Sequence, residues 1–77
     1  RITLTGSRLR PVYGATTLSI RNLDHTDPVT IDETVLYAED MLSVTDTDLV
    51  FRITRDYSGY RCRYRAVINN EFFEGEV

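Results

Sequence analysis

The segment Leu49–Val77, LVFRITRDYSGYRCRYRAVINNEFFEGEV, alternates apolar and polar residues in the way that is typical of half-buried β-strands. Two groups of turn-forming residues, Asp56–Gly59 and Asn69–Asn70, divide the segment into three runs. Asparagine tolerates the left-handed backbone that a two-residue hairpin turn requires. The segment therefore predicts a C-terminal meander of three antiparallel strands.

The same pattern predicts which residues of the meander lie opposite one another. For the last hairpin the predicted pairs are Ala66 with Phe73, Arg65 with Glu74, and Arg63 with Glu76. For the first hairpin they are Ile53 with Cys62, Phe51 with Tyr64, and Leu49 with Ala66. A slip of one residue would turn a strand's apolar side chains to the other face, so the common apolar face favours this register.

Upstream, residues 2–5 and 15–22 also alternate and predict strands, whereas Pro11 places residues 8–14 in an edge or a loop. Residues 31–43 allow two interpretations. Their β-branched and aromatic residues favour strand and extended loop. Thr30 and Glu33, however, have the spacing of a helix capping box, and Ile31 begins an apolar stripe with helical spacing.

The predicted fold class is thus mainly β: a small antiparallel β-sandwich or open barrel ending in the three-stranded meander. An α+β fold is the alternative if residues 31–43 are helical. At 77 residues the chain is expected to be a single domain, 1–77, with a small core. It opens on Arg1 in a strand-like run without an initiator Met, so we expect an excised domain or a processed product.

Composition narrows the classes of function. A net charge of −3 gives no electrostatic case for binding nucleic acid or an anionic membrane surface, and no apolar run is long enough to span a bilayer. The single Cys62 allows no internal disulfide and is interpreted as a core residue. The sequence contains no recognised catalytic or phosphate-binding motif, so we predict neither an enzyme nor a cofactor.

A candidate interface lies on the charged side of the meander. Arg52, Arg63 and Arg65 would share that side with Val67 and Phe72, two apolar residues predicted to face each other. An apolar pair on a solvated face can mark contact with another domain or subunit. Two alternatives stay open at this stage: the arginines form an ordinary solvated face, or a second sheet covers the apolar pair.

Two stretches resemble known families. The run TIDETVLYAEDMLSVTDTDLVFRIT is similar to cadherin-like and chondroitin-sulfate-proteoglycan-type extracellular repeats, through Glu33, Leu42, Ser43, Val44, Asp46, Asp48, Leu49, Phe51 and Ile53. The run from Ser19 to Ile31 resembles an uncharacterised bacterial β-sandwich family with an S-I-R-N motif, through Ser19, Ile20, Arg21, Asn22, Asp24, Pro28, Val29, Thr30 and Ile31. Both resemblances imply an immunoglobulin-like β-sandwich.

A calcium site is a further hypothesis. Asp46 and Asp48, with Glu33, supply carboxylate oxygens of the kind that Ca²⁺ prefers. The resemblance to cadherin-like repeats would give such an ion a role at the junction between tandem domains. The alternative is that an acidic turn between strands is simply solvated.

These observations predict a non-catalytic structural or adhesive β-module of a larger protein or assembly. Other protein domains or subunits are the expected partners. The sequence does not determine the location, although its composition and the first resemblance favour an extracellular or cell-surface setting. The alternative is an intracellular binding domain whose arginine-bearing sheet face docks an acidic or nucleic-acid partner, although the net charge makes nucleic acid the weaker choice.

Overall fold

The computed structural model describes residues 1–76 and contains seven β-strands in two antiparallel sheets. The strands are β1 (Ile2–Thr5), β2 (Thr17–Asn22), β3 (Glu33–Tyr37), β4 (Met41–Val44), β5 (Asp48–Phe51), β6 (Cys62–Ile68) and β7 (Glu71–Glu76). The smaller sheet has the order β1-β5-β4 and the larger sheet the order β3-β2-β6-β7. No helix among these residues is long and apolar enough to cross a membrane.

One hydrophobic core lies between the two sheets. Its buried members are Leu9, Leu18, Ile20, Leu36, Leu49, Phe51, Cys62, Ala66 and Ile68. Leu49 and Phe51 of the smaller sheet have no exposed surface, and neither has Ala66 of the larger sheet. The predicted mainly β fold, a small antiparallel sandwich, is therefore confirmed.

The helical alternative for residues 31–43 is wrong. This part of the chain forms β3, a single 3-10 turn at Ala38–Asp40, and then β4. The residue that was expected to cap a helix has another role, because the Thr30 hydroxyl donates a hydrogen bond to Asp27 Oδ2 at 3.0 Å. With no cap and a narrow apolar stripe, the β-branched and aromatic residues of β3 determine the local structure.

The last hairpin forms in the predicted register. Arg65 pairs with Glu74 and Arg63 with Glu76 across β6 and β7. Asn69 and Asn70 have φ values of +52° and +63°, the left-handed geometry of a two-residue hairpin turn. Here the local sequence was sufficient, because turn and strand signals agree within a few residues of each other.

The three-stranded meander, in contrast, is wrong. β5 pairs with β1 and β4 in the smaller sheet, whereas β6 pairs with β2 in the larger sheet. The predicted pairs of Ile53 with Cys62, Phe51 with Tyr64, and Leu49 with Ala66 therefore do not form. Residues 52–61 cross from one sheet to the other. Both sheets turn their apolar residues toward the same core, so the alternation of β5 is identical in either arrangement.

Candidate functional site: the outer face of the larger sheet

Every strand of the larger sheet turns alternate side chains away from the smaller sheet, and we call this surface the outer face. Its residues form three rows that run across β3, β2, β6 and β7 in that order. The rows are Tyr37, Thr17, Val67, Phe72; then Val35, Ser19, Arg65, Glu74; then Glu33, Arg21, Arg63, Glu76. The first row is mainly apolar and the last is fully charged.

The apolar part of the outer face is exposed to solvent. Phe72 is 61% exposed, Tyr37 49% and Val35 44%. The smaller sheet packs on the opposite side, so the alternative that a second sheet covers Val67 and Phe72 is wrong. Aromatic residues are enriched at the centres of protein interfaces, and exposed apolar patches commonly mark such sites.

The charged part has positive residues in the centre and negative residues at both borders. Arg21 lies directly opposite Arg63, an arrangement that disfavours pairing of β2 and β6. Glu76 lies 3.8 Å from the Arg63 guanidinium and Glu74 lies 3.3 Å from that of Arg65. All four side chains are about half exposed, so each ion pair contributes only about 0–1 kcal/mol to stability.

The structure brings together four of the five predicted interface residues. Arg63, Arg65, Val67 and Phe72 lie on the outer face, whereas Arg52 follows β5 of the smaller sheet and donates its backbone N–H to the Asp40 carbonyl at 2.8 Å. Sequence reasoning missed the residues that β2 and β3 contribute, which are Arg21, Val35 and Tyr37. Their alternation was visible, but the pairing of β2 with both β3 and β6 was not.

The proposed calcium ligands do not converge. Asp46 lies in the turn between β4 and β5 and pairs with Arg10, with 3.2 Å between Nε and Oδ1. Asp48 opens β5, and Glu33 opens β3 in the other sheet. Within residues 1–76 no group of three or more His, Cys, Asp and Glu side chains is placed to hold a metal ion. Calcium binding stays a prediction.

Cys62 lies in the core, as predicted, but its neighbour differs. It is opposite Asn22 of β2, not Ile53. Only 3% of the residue is exposed, and burial raises the pKa of the thiol above its ordinary value. A buried thiol with a raised pKa reacts slowly.

Charged side chains connect the loop between β2 and β3 to the segment between β5 and β6, near the C-terminal end of β2. Asp32 accepts hydrogen bonds from Arg55 at 2.8 Å and from the buried Asn22 at 3.1 Å. Asp24 accepts them from the backbone N–H of Arg61 at 2.8 Å and from its Nε at 3.1 Å. These contacts fix the two loops that flank the sheet, and no local sequence pattern predicts that the loops meet.

The same contacts make this end of the domain sensitive to acid. The Arg55 guanidinium, followed by the Asn22 amide, holds the pKa of Asp32 below its ordinary value of 3.8. The pKa of Asp24 is lowered by the Arg61 backbone N–H and then by the Arg61 side chain. A lowered pKa in the folded state contributes stability that is present above the unfolded value and is lost as the pH falls through the folded value.

We therefore expect the free energy of unfolding to fall as the pH is lowered from about 4 toward 2. Asp32→Asn should reduce this dependence, because the amide neither titrates nor pairs with the Arg55 charge. Glu39→Gln, at an exposed position, is the matched control and should keep the dependence of the parent chain. The measurement is urea denaturation at a series of pH values. Identical pH slopes for all three chains would contradict the assignment.

Comparison with known proteins does not assign the chain to a family. It matches no protein-family model, and searches of the curated proteins and of the solved structures give no significant match. The class of protein is therefore defined by its fold, a small all-β domain with two antiparallel sheets.

Proposed function

We propose that this chain is a non-catalytic structural or adhesive β-module of a larger protein or assembly, and that the outer face is its docking surface for another protein domain. The observation that carries the proposal is that one regular sheet face bears an exposed apolar row at one end and a charged row at the other. Apolar side chains supply binding energy when water is excluded, and the neighbouring charges select the partner's orientation. The resemblances to cadherin-like and immunoglobulin-like families agree with this role and stay predictions.

The arrangement of charges indicates what the partner should present. The arginines lie in the centre of the outer face and the glutamates at its borders, so a partner with an acidic side chain in the centre of its own surface would be complementary. Among residues 1–76, Arg21 has no ion pair, and it faces Arg63. A carboxylate placed between the two guanidinium groups would relieve their repulsion.

The second candidate is the binding of an acidic partner as the main role of the domain, and the unpaired Arg21 is the observation that favours it. In this case charge, and not the apolar row, would supply most of the affinity. Such binding would weaken steeply as salt is added, since exposed charges are screened over about 8–10 Å at physiological salt. Binding through the apolar row would depend on salt only weakly.

Cysteine labelling tests the docking proposal. Phe72→Cys and Val35→Cys each place one reactive thiol on the outer face, and the buried Cys62 does not compete. Leu42→Cys is the control, because Leu42 is 52% exposed on β4 of the smaller sheet. In the parent assembly we expect a maleimide to label the two outer-face thiols at least about tenfold more slowly than in the isolated chain, with the control unchanged.

Equal labelling of all three thiols in the assembly would overturn the docking proposal. The second candidate is tested by adding an acidic peptide to the isolated chain. Protection of Phe72→Cys that disappears at high salt would favour it over the first.

A further inference from the structure

The two sheets have four edge strands, and two of these carry features that hinder pairing with a further strand. β4 is irregular between Met41 and Ser43, where its pairing with β5 shifts register. On β3, the backbone N–H of Tyr37 already donates to Asp40 Oδ2 at 2.8 Å. β1 and β7 pair without a bulge on their inner sides, as β3 does, and within residues 1–76 no side chain bonds to an outward backbone group of either. A regular edge can accept a further strand, whereas bulges and occupied backbone groups prevent it.

The backbone hydrogen bonds show which groups of these two edges point outward. Gly6 N–H donates to the Thr47 carbonyl at 3.0 Å. In an antiparallel pair every second residue bonds to the partner strand, so Leu4 and Ile2 also turn their backbone groups toward β5. Thr3 and Thr5 therefore direct their N–H and C=O groups away from the sheet. The bond of Leu23 N–H to the Arg61 carbonyl at 2.8 Å shows which residues of β6 turn their backbone groups toward β2. The residues between them bond to β7. On β7, Phe72, Glu74 and Glu76 therefore direct their backbone N–H and C=O groups away from β6.

The two free edges lie on the same side of the sandwich. A cleft of about 700 Å³ is lined by Ile2 and Leu4 of β1 and by Tyr64 of β6. The Tyr64 ring in turn lies against β7, only 2.8 Å from where a Cβ on Gly75 would be. Apolar side chains of both sheets, together with residues 53–60 of the connection between them, thus line this side of the core. β1 borders the cleft directly, and β7 adjoins it through its contact with Tyr64.

The two edges also run in opposite directions. Asn69, in the turn that leads into β7, donates from Nδ2 to the carbonyls of Arg8 at 3.4 Å and Arg10 at 3.0 Å, just beyond the end of β1. β7 therefore begins at the end of the molecule where β1 finishes. A two-fold axis parallel to the strands would place β1 of one copy beside β7 of a second copy, antiparallel, at two equivalent contacts.

Charge selects this pairing over pairing of two β7 edges. β7 carries Glu74 and Glu76 beside its free backbone groups, so two β7 strands would bring glutamates against each other. The side chains beside the free groups of β1 are Arg1, Thr3 and Thr5, which include no acid. β1 is thus the complementary edge for β7.

We propose that two copies of this chain associate through these edges, β1 of each with β7 of the other, so that each pair of sheets becomes one continuous sheet. In the register that matches the charges, Arg1 faces Glu76, Thr3 faces Glu74, and Leu4 packs beside Phe73 across the open side of the core. The interface uses the backbone groups of the sheet edges and meets the outer face only along its β7 border, at Glu74 and Glu76, so it does not depend on the docking proposal.

A charge swap tests the pairing. Arg1→Glu alone and Glu76→Arg alone each put like charges together at both contacts, and each should lower the association constant about tenfold at low salt. A mixture of the two variants forms a hetero-dimer with opposite charges at both contacts and should recover the association of the parent chain. Sedimentation velocity over a concentration series measures it. A monomeric parent chain, or a mixture no more associated than its components, would overturn the proposal.

Cross-linking tests the register independently of affinity. The double variant Thr3→Cys with Glu74→Cys places two thiols opposite each other between copies, and Cα atoms in such a pair are about 5.5 Å apart, which suits a disulfide. Mild oxidation should give a covalent dimer on non-reducing electrophoresis. Thr3→Cys with Glu71→Cys is the matched control and should stay uncross-linked. Equal cross-linking of both variants would overturn the register. Circular dichroism of each variant is the control for folding.

Discussion

Phe51→Ala is expected to lower the free energy of unfolding by about 3–5 kcal/mol, the largest effect of any single substitution considered for this chain. Phe51 has no exposed surface and is among the largest fully buried side chains of the core. Its removal loses the transfer free energy of the ring and leaves a cavity between two sheets that relax around it only partially.

The small size of the domain makes this loss severe. A chain of this length has a total stability of about 4–12 kcal/mol, estimated at about 0.05–0.15 kcal/mol per residue. A large part of the population of Phe51→Ala should therefore be unfolded at 37 °C if the parent lies at the lower end of that range. Guanidinium denaturation followed by circular dichroism gives the difference in free energy.

Phe72→Ala is the matched control, because it removes the same ring from a residue that is 61% exposed. We expect a change within about 0.5 kcal/mol. A cost below about 1 kcal/mol for Phe51→Ala, or equal costs for the two variants, would contradict the placement of Phe51 between the sheets.

The fold class could be predicted from the sequence because alternation and turn residues are local signals. The hairpin of β6 and β7 shows this best, since two asparagines specify the turn and the turn specifies the register. The partner of β5 could not be predicted. A strand with one apolar face satisfies the same pattern whether it extends one sheet or begins the other, and only contacts distant in sequence distinguish the two.

The candidate site was predictable to the same extent. Arg63, Arg65, Val67 and Phe72 belong to one hairpin, so their common face followed from local pairing. Arg52 was assigned to that face only through the incorrect meander. Val35 and Tyr37 join the face because β3 pairs with β2, and no local signal specifies this pairing.

Asn69→Ala is expected to have the second-largest effect, a loss of about 3–4 kcal/mol. The Asn69 side chain joins the hairpin turn to the long loop between β1 and β2. Its Oδ1 accepts the backbone N–H of Val12 at 2.8 Å, and its Nδ2 donates to the Arg10 carbonyl at 3.0 Å. Alanine would lose these bonds, and the two shorter ones contribute about 1 kcal/mol each. It would also adopt the left-handed backbone at a cost of about 1–2 kcal/mol.

Two further substitutions separate these causes. Asn69→Gly keeps the left-handed backbone without strain and loses only the side-chain bonds, so about 2 kcal/mol should be lost. Asn70→Gly changes the neighbouring turn residue, at φ +63°, to the glycine that this kind of turn prefers, and should change stability by less than about 0.5 kcal/mol. Urea denaturation of the three variants beside the parent measures all of these costs. If Asn69→Gly proved as stable as the parent, the loop would be held by other contacts, chiefly the buried Leu9 and the bond of its N–H to the Asp46 carbonyl at 2.8 Å.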